Sequence, residues 1–366
     1  MRFDAVYVVS LAASAAAQLF PPPEGPFHVA WENSELVDNS RVDPFNATHP
    51  RRLMVSRFTP VPRSSCEKLC RVPYMTPEMA RLEEEIYKAA FPDLEWLNGI
   101  FRKLEVQICC KQDRPPKKKF PTILFGPGHN TTRTLYTGTA QQIASMGYEI
   151  MVIDHPYETD VVQFPNGDII FGGRVGSNPD DKEDIVLGLD IRAQDVAFIL
   201  DTLNLNRTVY MGHSYGGASA AHTLPKDLRL VSGVNLDGAM WSDVQYTGVD
   251  RPFLCFGSIG HNSSSIEEPT WRNFFHAMDT IHPSVWKREL TINGSVHGSY
   301  YDFPIIGDVT GFREGAEAFF GEVTGEVVMK VVREYLSDFI RFTLRGGEEG
   351  LLSGPDDDFP EVIFLR

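Results

Sequence analysis

The sequence has no basic excess. Its 34 lysines and arginines stand against 49 aspartates and glutamates, a formal net charge of −15 at pH 7. Phosphate backbones are bound by basic faces, so the charge argues against a nucleic-acid partner and disfavours simple electrostatic docking on anionic membranes. Beyond the N-terminus there is no run of about 20 apolar residues of the kind that crosses a bilayer. Neither a Gly-x-Gly-x-x-Gly pattern nor a phosphate-binding loop occurs, so no nucleotide is expected. His-Glu-x-x-His and related ligand spacings are missing as well, and neither a metal nor another cofactor is expected. There is no internal repeat. Cysteine is scarce, with five in 366 residues.

What is present is ordinary globular chain: 42% hydrophobic and 23% charged residues, enough for a large core. Residues 1–17 read as a secretory signal, with Arg2, an apolar run from Val6 and a small-residue cleavage pattern at Ala15-Ala16-Ala17. Export fits the rest. Asn-x-Ser/Thr acceptor sites stand at Asn46, Asn130, Asn206, Asn262 and Asn293. Cys66, Cys70, Cys109 and Cys110 suit two disulfides of unassigned connectivity. The alternative, a zinc site, is disfavoured because adjacent Cys109-Cys110 chelates poorly. Cys255, in an apolar run, is left as a buried thiol.

Along the chain, short apolar strands alternate with helical periodicity, which predicts βαβ units and a mostly parallel α/β sheet covered on both faces. Residues 18–50 are polar and proline-rich and read as an extended segment laid over the core. Residues 51–345 are expected to form one large α/β domain. Residues 346–366 form an acidic tail, mobile around Ser353–Asp358. The expected strands are Arg52–Phe58, Leu104–Cys110, Pro121–Phe125, Ile150–Asp154, residues 208–212, Leu230–Asp237, Pro252–Gly257 and finally Arg288–Ile292. Helices are expected after Thr76, over Thr134–Met146, Ile185–Leu203 and Glu268–Met278, and in a closing stretch around Val328–Phe342. Gln163–Phe171 reads as a hairpin. The basic stretch Arg114–Lys119 reads as a solvated loop.

Chemistry concentrates at three strand ends. Gly212-His213-Ser214-Tyr215-Gly216 follows an apolar strand and precedes a small-residue helix, the setting of a nucleophilic serine on a tight strand-to-helix turn. Asp237 and His297 each follow another apolar run. Reactive groups collect beyond the carboxyl ends of such strands. A serine hydroxyl needs an imidazole to take its proton, and the imidazole needs a carboxylate to fix its tautomer, so Ser214, His297 and Asp237 form the expected triad. The oxyanion of acyl transfer needs backbone N–H donors. One belongs to Tyr215, after the serine, and the other to the Gly126–Asn130 loop. Asp243 lies past its strand end and ranks below Asp237. His213 is read as a packing or hydrogen-bonding residue, and His261, His276 and His282 as solvated or core histidines. His155 is a candidate for the pocket lining.

These residues resemble the platelet-activating factor acetylhydrolase family, in its plasma form and fungal relatives. The resemblance rests on Arg133-Thr134-Leu135-Tyr136, on Gly212 to Gly217, on Asn235-Leu236-Asp237-Gly238 with Met240, and on Gly294-Ser295-Val296-His297 followed by Asp302-Phe303. It spans roughly residues 50–345. It implies an α/β-hydrolase fold and a secreted, calcium-independent serine esterase that removes short or oxidatively truncated acyl chains from the middle position of phospholipids. It places the second oxyanion donor on the His129 N–H, although Pro127-Gly128 stands where the family usually has His-Gly. It also implies a lipid-surface contact, through Met79, Leu82 and Ile86 or through Trp271, Phe274 and Phe275, although apolar stripes at helical spacing normally face the core. Glycans at Asn130 and Asn293 would crowd the site, so Asn46, Asn206 and Asn262 are the expected carriers. The alternatives are a general carboxylesterase, lipase or polyester hydrolase, and a catalytically silent binding protein.

Overall fold

The structure, a computed structural model, describes residues 17–95, 98–112, 119–176 and 182–366. The export signal and the basic stretch at 114–119 lie almost wholly outside the described residues. Among the described residues, nine strands form the central sheet. They are β1 (Phe27–Val42), β2 (Pro50–Pro62), β3 (Thr122–Gly126), β4 (Glu149–Asp154), β5 (Thr208–His213), β6 (Leu230–Leu236), β7 (Phe253–Gly257), β8 (Lys287–Ile292) and β9 (Val362–Phe364). Their spatial order is β9-β8-β7-β6-β5-β3-β4-β2-β1. Strands β3 to β8 pair in parallel, and β1, β2 and β9 add antiparallel edges.

The period of two along each strand sorts its side chains into two cores. Ile123, Phe125, Ile150, Val152, Val209, Met211, Leu254 and Phe256 face the helices Thr137–Ser145 and Gly325–Arg345. Leu124, Met151, Ile153, Tyr210, Phe253 and Cys255 face the helices Lys182–Thr202, Tyr215–Thr223 and Thr270–Thr280. The parallel sheet with both faces covered is the predicted architecture. The helix after Thr76 also forms as expected, over Pro77–Ala90, with the Thr76 side chain accepting from the Met79 N–H.

Two expectations are corrected. The segment 18–50 is not simply laid over the core: β1 pairs along β2 from Phe27 opposite Pro62 to Val42 opposite Pro50. As an edge strand it buries little. Val29 faces the core and Trp31 stacks on Phe58 at 5.6 Å, while most of its other residues meet solvent. Nor is Arg288–Ile292 the last strand, since β9 pairs with β8. The tail is tied down by buried Leu352, Phe359 and Val362, and Lys330 both donates to the Asp358 carbonyl and sits over the Phe359 ring.

Cys66–Pro73, Leu104–Gln112 and Gln18–Leu19 make a separate three-stranded sheet. Its disulfides join Cys66 to Cys109 and Cys70 to Cys110, with Cys255 free and buried. Each closes a loop of about 40 residues in the unfolded chain, a constraint that stabilises by a few kcal/mol.

Candidate active site

Strand β5 ends at His213 and the next helix begins at Tyr215, so Ser214 alone makes the turn. Its backbone sits at φ 55°, ψ −123°, a conformation that costs a non-glycine residue about 1–3 kcal/mol. Packing holds it there. Ser214 N–H donates to the Leu236 carbonyl at 2.8 Å. A Cβ on Gly216 would fall 1.9 Å from the Gly126 carbonyl oxygen, so only glycine lets the helix approach β3 this closely.

Asp237 follows directly on β6, at φ 59°. Its turn is clamped by Asn235, whose side chain accepts from Gly238 N–H and donates to Gly238 C=O, both at 2.7 Å. The Trp271 indole donates to the same carbonyl. That accounts for the Asn-Leu-Asp-Gly run. His297 follows β8, opens a short 3-10 turn over His297–Tyr300, and is half exposed.

The fold brings the three predicted residues together. His297 Nε2 lies 2.9 Å from Ser214 Oγ, and His297 Nδ1 lies 2.6 Å from Asp237 Oδ2. The chain is thereby equipped to move a proton from serine to imidazole while a buried carboxylate holds the ring. Asp243 is exposed, at the start of the short helix Val244–Thr247.

Asp237 has more partners than the sequence reading gave it. Ser258 N–H and Ser258 Oγ donate to it at 2.5 and 3.0 Å, and His261 Nδ1 lies 3.1 Å from Oδ1. His261 Nε2 in turn lies 3.1 Å from Glu268. Burial alone would lower the His261 pKa, but hydrogen bonds to Asp237 and Glu268 outweigh it and raise it to about 9. Burial likewise opposes ionisation of Asp237, and the hydrogen bonds from His261 and His297 prevail, holding it well below the usual carboxylate range. His261 therefore carries a proton at neutral pH and belongs to the site. Its place depends on a loop that folds back after β7, which no local pattern announces.

A stability prediction follows from the raised His261 pKa. The folded value exceeds the unfolded value of about 6.5, so the proton's contribution is complete below pH 6.5 and is lost as pH rises through 9. Urea unfolding of wild type and His261→Gln should differ most below pH 6.5, by up to about 3 kcal/mol, and converge above pH 9. A difference that stays flat from pH 6 to 9.5 would exclude this arrangement.

The other histidines separate cleanly. His213 is fully buried. Burial, and then the neighbouring His297, keep it neutral, and its Nδ1 lies 3.0 Å from Tyr136 Oη. His155 is buried against Asp195, which also binds Arg51, so it is part of a charge cluster and not a pocket wall. His276 is exposed and His282 meets the Thr247 carbonyl. Of the proposed lipid-facing stripes, Met79, Leu82, Trp271, Phe274 and Phe275 are buried in the cores. Exposed apolar side chains instead stand in the segments after β6 and β7, at Trp241, at Tyr246 of the short helix, and at Ile259 and Ile266.

Beside His297 opens a cavity of about 720 Å³, within the usual size of a small-ligand pocket. Its walls are Ile86 and Tyr87 from the helix Pro77–Ala90, Phe91 just after it, Phe303 and Phe319, and Phe171 from the predicted hairpin, formed by Val161–Gln163 and Ile169–Phe171. His129, Asn130 and Thr131 form another side. A cavity of similar volume near Trp31, Arg57 and Glu149 is lined by none of Ser214, Asp237 and His297, of which His297 lines the first. Among the described residues, neither the Tyr215 nor the His129 backbone N–H donates to another backbone group. No group of three or more His, Cys, Asp or Glu with metal-holding geometry occurs among the described residues.

Residues 178–340 match the family profile described as platelet-activating factor acetylhydrolase, isoform II. A protein of Arthroderma benhamiae described as a probable 1-alkyl-2-acetylglycerophosphocholine esterase is 37% identical, with both chains covered over 100% of their length. The platelet-activating factor acetylhydrolase of Gallus gallus is 22% identical over 54% of this chain and 56% of its own. Among solved structures, a ferulic acid esterase from Streptomyces cinnamoneus superimposes with a TM-score of 0.76 at 26% identity, covering 96% of this chain and 100% of that one. With full-length similarity to a curated esterase, a matching family profile and an α/β-hydrolase architecture, the chain is a carboxylic-ester hydrolase and belongs to the platelet-activating factor acetylhydrolase family.

Proposed function

We propose that the chain is a secreted serine esterase that removes short or oxidatively truncated acyl groups from the middle position of phospholipids. The observation that carries the reading is the Ser214–His297–Asp237 relay, 2.9 and 2.6 Å long, whose His297 lines a largely apolar cavity. His297 Nε2 takes the Ser214 proton as Oγ attacks the ester carbonyl. The N–H groups of Tyr215 and His129 hold the developing oxyanion. The tetrahedral intermediate collapses, His297 returns the proton to the departing lysophospholipid alkoxide, and water then cleaves the acyl-enzyme by the same sequence. No step calls for a metal or cofactor.

Two disulfides in a small sheet, and the apolar N-terminal run, support export. Asn46, Asn206 and Asn262 are the proposed glycan carriers. Asn130 lines the cavity, and Asn293 stands four residues before His297; both are proposed to be unmodified. The exposed residues Trp241, Tyr246, Ile259 and Ile266 are the proposed lipid-surface contact, because they follow the carboxyl ends of two of the strands that carry the site.

A second reading is a simple or aromatic-ester esterase, favoured by the ring-lined cavity and the similarity to a ferulic acid esterase. The test is hydrolysis of phospholipids carrying acetyl, truncated-oxidised and long middle-position chains, beside a feruloyl ester, with chelator present. Release of the short chains at least 100-fold faster than the long ones, abolished by Ser214→Ala, is expected. Turnover of the feruloyl ester with no phospholipid turnover would replace the first reading by the second.

A further inference from the structure

The buried ion pair between Arg192 and Glu158 has no part in the triad. Arg192, on the helix Lys182–Thr202, is 1% exposed. Its Nε and Nη2 bind the two Glu158 oxygens at 2.6 and 2.7 Å, which satisfies the carboxylate. The fork has donors left over, and they go to successive carbonyls: Nη1 to Pro127 O at 2.7 Å and Nη2 to Gly128 O at 3.3 Å. The Cζ of the same guanidinium lies over the Tyr215 ring, 4.7 Å from its centre.

These contacts fall on both oxyanion donors. The Gly128 carbonyl and the His129 N–H belong to one amide. In a trans peptide they point in opposite directions, so an arginine that holds the oxygen aims the N–H away from itself. The neighbouring amide is fixed from the other side, where Gly128 N–H donates to Tyr136 Oη at 2.9 Å. The His129 ring is tied by Nε2 to the Val175 carbonyl at 2.9 Å. Tyr215, whose ring rests on the guanidinium, supplies the other donor. A buried cation on a carbonyl also polarises that amide and strengthens its N–H as a donor.

We propose that Arg192, charged and held by Glu158, is a positioning residue that orients the His129 and Tyr215 N–H groups into one oxyanion hole. This rests on the reading of His129 as the second donor. It differs from a packing role in its consequence, since the speed of each competent site should fall and not merely the number of sites. Burial opposes the charge on Arg192 and Glu158 overrides it, so the pair remains ionised across the working pH range.

The test compares wild type, Arg192→Lys and the double variant Arg192→Gln/Glu158→Gln on p-nitrophenyl acetate, with active sites counted by an organophosphonate that labels the serine. Lysine keeps the charge but cannot span a carboxylate and two carbonyls at once. The double variant strands no charge and carries the same expectation should the lysine variant not fold. Expected is a fall in kcat per titrated site of about 100-fold, the cost of one misplaced oxyanion donor, with KM within threefold. Phosphonylation, which builds charge on the same oxygen position, should slow by a similar factor. The acid limb of the pH profile should stay in place, because His297 and Asp237 are untouched. Wild-type kcat per titrated site, or a displaced acid limb, would overturn the proposal. Acetate hydrolysis that survives Ser214→Ala would instead sink the triad reading, leaving the two failures distinguishable.

Discussion

Ser214→Ala is expected to lower kcat by about 10⁵–10⁶-fold and to abolish phosphonate labelling, with KM little changed. The size follows from what remains. Without Oγ there is no acyl-enzyme, and the hole and cavity can only bind substrate and assist water, a residual that in serine hydrolases amounts to about 10³–10⁴ over solution. A companion measurement separates chemistry from fold. Ser214 occupies φ 55°, ψ −123°, which glycine adopts freely and alanine does not. Ser214→Gly should therefore be equally inactive yet more stable than Ser214→Ala, by about 1 kcal/mol in urea unfolding. Equal stability would mean that the turn is not strained, and residual activity above 1% in either variant would remove Ser214 as the nucleophile.

Much of this site was legible before any coordinates. Ser214, Asp237 and His297 each follow an apolar run, and in a parallel sheet such runs deliver their following residues to one rim. The two cores were legible for the same reason, since strands buried on both faces read as near-continuous apolar runs. What escaped reading was whatever depends on half-buried or non-local order. In strand β1 only Val29 and Asp38 are buried, with Glu32, Asn33, Ser34 and Glu35 between them, and polar content of that kind is what a solvated segment shows as well. Strand β9 has three residues, and pairs because Phe359 and Val362 are anchored on the closing helix and sheet. His261 reaches Asp237, and Glu268 reaches His261, from a loop of irregular composition. Arg192 sits in a helix packed on more than one side, where a buried cation leaves no periodic trace and only its partners, 34 and about 65 residues away in sequence, give it meaning.

Asp237→Asn is the sharper test of how the site is assembled, with an expected fall in kcat of about 10⁴-fold at neutral pH. Here the carboxylate accepts from four sides: Ser258 N–H, Ser258 Oγ, His261 and His297. An asparagine has one oxygen to accept with, and its NH₂ must face at least one of those donors. Should the oxygen stay with Ser258 N–H and His261, the NH₂ points at His297 Nδ1 and can pair only with a ring protonated on Nε2. That tautomer cannot take the Ser214 proton. Turned the other way, the amide keeps the right His297 tautomer but opposes both the Ser258 amide and His261. The second orientation breaks a backbone donor that cannot move, so the first is favoured and the loss is large. The same substitution removes one of the two anions that hold the His261 proton, and the His261 pKa should fall from about 9 toward its ordinary value. Nuclear magnetic resonance titration of the imidazole signals reads that fall directly. A kcat loss with His261 still titrating near 9 would mean that Glu268 alone holds its charge, and that Asp237 serves His297 only.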